Sequence, residues 1–263
     1  MVCRGWAAEW QWSVPIPGIV SDETGGHPRA FLYIPDDCHR VKAVMVGNHN
    51  MCEETLFENV SFRRAIRGMG LALVWVTPGW DQVWNADKGT PEAYWRTLAV
   101  VSYHGDAPRT NLTGYGRENI EWGRTRNIDG IPGLMVEGEY EWWEARVNPA
   151  LAFRMMYPES CISFLCDAGR GHFDVSDRTA EYIALFVKKA MQTRLPEDAS
   201  EGHVQELKKV RPEDGWLAER WHPVQPRRAK AAPFAEYRGD VHDAFWYFDR
   251  EMAELTEARY AEE

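Results

Sequence analysis

Short apolar runs closed by turn residues, and separated by stretches of helical periodicity, constrain this chain more than any other feature. Residues 30–35 (AFLYIP), 43–47 (AVMVG), 71–77 (LALVWVT), 98–103, 133–138 (GLMVEG) and 162–166 each read as a strand buried on both sides. Between them, residues 54–67 place Leu56, Phe57, Val60, Ala65 and Ile66 on one helical face, and Gly68 and Gly70 close that face. Further helices are expected near 91–97, over 146–156 and over 177–193. Strands that alternate with helices predict an α/β fold, a mostly parallel central sheet with helices on both faces. The boundaries follow: 1–29 an N-terminal arm or hairpin, 30–195 the α/β core, 196–263 a charged, proline-bearing strap with a final helix over 243–260.

Composition narrows the function classes. A formal charge of −10 and a pI near 5.4 are the wrong sign for a surface that neutralises phosphates, so no nucleic-acid partner is expected. No apolar run reaches the about 18 residues that a membrane span needs, and the opening residues lack a leader-like stretch, so the expectation is a soluble, cytoplasmic protein without a membrane partner. The five cysteines, Cys3, Cys38, Cys52, Cys161 and Cys166, show no C-x-x-C spacing, and reduced thiols are the default. Thirteen tryptophans first suggest core packing; indole faces also suit sugar rings.

Ligands in α/β sheets collect beyond the carboxyl ends of the strands, and four such stations carry polar residues. Asn48 to Glu54 follows one strand, with backbone amides near Asn50 and Met51 that could face a developing oxyanion. Glu139-Tyr140-Glu141 follows another. Asp167-Ala168-Gly169-Arg170-Gly171-His172 presents an imidazole shortly before a helix, and Ser102-Tyr103-His104-Gly105-Asp106 ends a strand of its own.

The succession strand, acid, helix, strand, Gly-x-Gly-His, helix resembles the second half of the α/β-hydrolase family over roughly residues 30–194. The resemblance implies carboxylic-ester hydrolysis, with His172 as general base, Glu141 holding its tautomer and Glu139 as the alternative acid. It implies a small-molecule or acylated-carbohydrate ester as substrate and no cofactor. The family's G-x-S-x-G nucleophile elbow is missing, since none of the serines has glycine two residues before and two after. Roughly 18 residues separate Gly79 from Leu98, room for one crossover of about 10–12 residues but not for a strand, an elbow and two helices. Three readings stay open: a hydrolase that has lost its nucleophile segment, a substitute nucleophile at Ser102 or at Cys52 beside a helix start, or a non-catalytic ligand- or carbohydrate-binding protein. His49, His104, His172, Asp106 and Asp174 could converge on a metal, but they lack H-x-H or H-E-x-x-H spacing, and no metal site is assigned.

Overall fold

The computed structural model describes residues 10–21, 24–48, 52–78, 97–104, 130–142, 147–148, 150–151, 155, 160–196, 206–222 and 225–260. The chain divides into two compact units, Met1–Gln82 with Val175–Ala184, and Val83–Asp174 with Leu185–Glu263. Both mix strands and helices.

In the first unit, strands β1 (Trp12–Pro15), β2 (Arg29–Tyr33), β3 (Ala43–Asn48) and β4 (Leu71–Thr77) form a four-stranded sheet of order β1-β2-β4-β3. β1 runs antiparallel to β2, and β2 antiparallel to β4, with Arg29 opposite Thr77 and Tyr33 opposite Leu73. β3 is parallel to β4, Ala43 facing Leu71, so a crossover must join them. That crossover is helix α1 (Glu53–Glu58) and helix α2 (Val60–Ala65), not the one continuous helix expected over 54–67. Asn59 makes the break: its backbone is extended, and its Oδ1 accepts from the Phe62 N–H at 2.8 Å. A short amide side chain satisfies an orphan helix-start donor better than it sits inside a helix. Leu56, Phe57 and Ile66 are buried as expected, whereas Val60 and Ala65 are exposed and Phe62, off the expected face, is buried, because the break at Asn59 resets the helical phase. Gly68 and Gly70 stand in the left-handed region where the helical pattern stops. Trp75 on β4 stacks on Trp10 and meets Phe31, so part of the tryptophan content does pack the core. β3 departs from expectation in leaving Val44 and Val46 more than half exposed.

In the second unit, β5 (Val100–Tyr103), β6 (Gly133–Gly138) and β7 (Ile162–Asp167) form a parallel three-stranded sheet of order β5-β6-β7, and every residue of β6 and β7 is buried. Full burial of both strands explains why their sequences are continuous apolar runs and not alternating ones. Residues 147–148, 150–151 and 155 are helical, within the helix expected there. Helix α3 (Asp177–Arg194) starts in the first unit and ends in the second. Near its end the buried Arg194 guanidinium donates to the carbonyls of Thr97, Leu98 and Lys208, at 2.5, 2.7 and 2.8 Å.

The region read as a strap is instead a second sheet. β8 (Trp216–Glu219), β9 (Ala232–Pro233) and β10 (Ala244–Tyr247) pair antiparallel in the order β10-β8-β9, and helix α4 runs from Arg250 to Tyr260 instead of starting at 243. The aromatic run Ala244-Phe245-Trp246-Tyr247 is fully buried, and burial of such side chains favours the pleated sheet over a helix turn. Phe245 stacks on Phe164 of β7 with centroids 5.0 Å apart, Tyr247 Oη donates to the Phe164 carbonyl at 2.6 Å, and Ser163 Oγ donates to the Trp246 carbonyl at 2.6 Å.

The fold class is therefore mixed α/β. Among the described residues the strands form three sheets in place of the single one expected. Apolar runs mark which segments are buried as strands but do not say which neighbour each one hydrogen-bonds. No helix of the described residues is long and apolar enough to cross a membrane.

Candidate active site

Parallel pairing sets the site. Gly138 at the end of β6 stands opposite Asp167 at the end of β7, and Tyr103 at the end of β5 stands opposite Val136, so the segments that leave the three strands start at one edge of the sheet. After β6 the chain turns at once through a 3-10 turn, Glu139–Glu141, which swings the Glu141 carboxylate back until Oε1 accepts the Gly138 N–H at 2.9 Å. After β7, the chain runs through Gly169 and Gly171 to His172. The two loops are tied together: the Gly169 N–H donates to Glu139 Oε2 at 2.7 Å, and the Tyr140 N–H donates to the Arg170 carbonyl at 3.0 Å.

The carboxylate of Glu141 is the centre of the arrangement. His172 donates through Nδ1 to Oε2, and His104, one residue past β5, donates through Nδ1 to Oε1. His104 is buried, with φ of 53°, a left-handed conformation that costs a non-glycine residue about 1 kcal/mol or more. Its neighbours hold it there: the His104 N–H donates to the Val136 carbonyl at 2.8 Å, and its ring lies 4.3 Å from the Tyr103 ring. His172 is more open, with 32% of its side chain exposed against 13% for Glu141. Burial pushes the Glu141 carboxyl upward, but hydrogen bonds from His104, the Gly138 N–H and His172 outweigh it and hold the pKa at about 2. At neutral pH the group is an anion gripped by three donors.

Of the residues singled out in the sequence, His172 and Glu141 come together. Glu139 is engaged with the Gly169 amide and does not supply the oxygen that meets His172. Asn50 and Met51, with His49 and Asp106, lie outside the described residues. Ser102 sits within β5 opposite Met135, two residues before the strand-end position that His104 takes. Cys52 is buried just ahead of the six-residue α1, in the first unit, whereas His172 and Glu141 belong to the second. Asp174 accepts from the Gly171 N–H at 2.8 Å and braces the histidine loop. The sequence offered His104 with His172 only within a possible metal cluster that lacked ligand spacing and was set aside; that His104 and His172 meet on the carboxylate of Glu141 was not read. The signal for His104 was present, a histidine directly after a strand, but its meaning depends on β5 lying beside β6.

Gly138 makes the meeting of the two loops possible, because a β-carbon there would lie 2.6 Å from the Arg170 carbonyl oxygen, an atom of rigid backbone. Gly138→Ala is expected to cost about 1–3 kcal/mol through overpacking and to push the histidine loop from Glu141. A lowered thermal midpoint together with shifted His172 imidazole resonances would be the observed result; an unchanged melt would show that the loops yield freely.

No protein-family model matches the sequence, and no curated protein matches it. Among solved structures the chain is similar to Est1E from Butyrivibrio proteoclasticus, at 12% identity and a TM-score of 0.36, over 68% of this chain and 99% of that one. It is also similar to a predicted CIB-like hydrolase from Thermoplasma acidophilum, at 8% identity and a TM-score of 0.34, over 67% of this chain and 99% of that one. Identity this low leaves the chemistry to be read from the residues of the site itself.

Proposed function

We propose that this chain is a carboxylic-ester hydrolase scaffold of the α/β-hydrolase kind that keeps the general base, His172, and its acid, Glu141, without the serine they would serve. The observation that carries the reading is the Nδ1–H of His172 donating to an ionised, partly buried carboxylate in the turn that follows the neighbouring strand. That bond fixes the proton on Nδ1 and leaves the Nε2 lone pair to take a proton from an attacking hydroxyl, while the carboxylate stabilises the imidazolium that results. The lean toward an acylated carbohydrate rests on the tryptophan content and on Trp142, next in sequence to Glu141, whose indole meets the buried Trp221 edge to face at 5.7 Å. The absence of a G-x-S-x-G segment between Thr77 and Leu98 is taken as the loss of the nucleophile unit.

Two measurements test this. A fluorophosphonate probe is expected to label no serine, and p-nitrophenyl acetate turnover is expected to equal that of His172→Ala; strong labelling of any serine would overturn the lost nucleophile, and Ser102→Ala and Cys52→Ala would then identify the substitute. Nitrogen-15 spectra above neutral pH are expected to show His172 protonated on Nδ1. Protonation on Nε2 would remove the base from the reading.

A further inference from the structure

A serine hydrolase's acid needs one imidazole, and Glu141 holds two. We infer that His104, Glu141 and His172 form a binding site for one divalent transition-metal ion of the zinc class. One ligand atom from each of the three side chains lies within 4.8 Å of the other two, so a small side-chain adjustment closes them around a single ion. They stand at or just beyond the ends of three neighbouring strands of one parallel sheet, a rigid frame for a metal centre.

The donor set selects the ion. Two neutral imidazoles and one carboxylate suit zinc, cobalt or nickel, whereas calcium and magnesium favour cages made of oxygen. The charges also fit, since an ionised Glu141 balances half of a dication. Both imidazoles already aim Nδ1 at the same carboxylate, so exchanging their two Nδ1 protons for a cation keeps the donors directed at one place. For His104 that exchange moves the proton to Nε2, a buried nitrogen with no hydrogen-bond partner among the described residues. Among the described residues that N–H would have no acceptor, a cost that the metal–nitrogen bond has to exceed. The Gly138 N–H on Glu141 Oε1 supplies an outer-shell restraint on the carboxylate. Three protein ligands and a partly exposed His172 leave a fourth position for water, the layout of a reactive zinc site and not of a closed structural one.

The inference does not rest on the ester-hydrolase reading, and the experiments separate the two: probe labelling is done on chelator-treated protein, whereas metal binding is read without any substrate. Zn²⁺ titrated calorimetrically into the chelator-treated full chain is expected to bind at one ion per chain and to raise the thermal midpoint. Co²⁺ is expected to give visible d–d bands without the intense near-ultraviolet band of thiolate ligation. His172→Ala should weaken Zn²⁺ binding about 100-fold or more, while Cys38→Ser and His27→Ala, both in the other unit, should leave it unchanged. In the unaltered protein, Zn²⁺ should shift the nitrogen resonances of both His104 and His172, a readout that does not require any variant to fold. No stoichiometric binding, a thiolate band, or an affinity indifferent to His172→Ala would each overturn the site.

Discussion

Replacing Arg259 with methionine is expected to cost about 3–5 kcal/mol of folding stability, the loss that follows when one member of a buried ion pair is removed. Arg259 on α4 donates to Asp167 Oδ1 at 3.3 Å, and their side chains are 8% and 3% exposed. Asp167 is the last residue of β7, and the loop to His172 leaves directly from it. Methionine fills much of the space of the arginine stem but supplies no donor, so the carboxylate stays buried without its cation. Denaturant unfolding would measure the loss, and a change below about 1 kcal/mol would show that the carboxylate is satisfied by other donors. The double change Asp167→Asn with Arg259→Met should recover most of the stability, because a neutral pair has no buried charge to compensate.

Glu141→Gln is expected to have the next largest effect, and it should depend on pH. The folded-state carboxyl lies at about 2 against an ordinary value of 4.5, so the fold favours the ionised form. The contribution is therefore complete above the ordinary value, drains away as pH falls through the folded value, and amounts to about 2 kcal/mol after allowance for partial solvent exposure. Glutamine has no charge to lose. The variant should be less stable at neutral pH, and its stability should lack the acid-side decline that Glu141 gives the parent. Parallel pH profiles for the two proteins would show that the carboxylate is not held by its donors as the geometry implies.

Much of this arrangement was legible in the residues. The apolar runs located β2 to β7, most plainly β6 and β7, which are buried throughout and show no polar alternation, and Gly-x-Gly-His soon after the run 162–166 marked the histidine loop. The sequence left Glu139 as the alternative to Glu141, and in the structure Glu141 is the one whose carboxylate meets the His172 ring. What stayed hidden was long-range pairing. His104 shares the carboxylate only because β5 pairs with β6, and no local pattern around Ser102-Tyr103-His104 encodes that neighbour. The second sheet of the second unit was missed for a related reason: Trp216–Glu219 and Ala244–Tyr247 are four-residue runs set among charges and prolines, too short to show a period, and each is a strand because the other pairs with it. Asn59 shows the opposite case, where apolar spacing continued across a residue whose side chain prefers to start a helix.

The guanidinium of Arg194 has a consequence for how the second unit can be cut or assembled. It joins the stretch at Thr97 and Leu98, nearly a hundred residues earlier, to the end of α3 and to Lys208, and its acceptors are peptide oxygens, which only the chain's own path can bring there. A fragment that stops short of Lys208 would retain the cation and its two contacts at Thr97 and Leu98 but not the third. The stretch leading into β5 and the stretch following α3 must therefore be present together for that charge to be fully solvated by the protein, which makes the residues after the helix part of the folding unit and not an appendage to it.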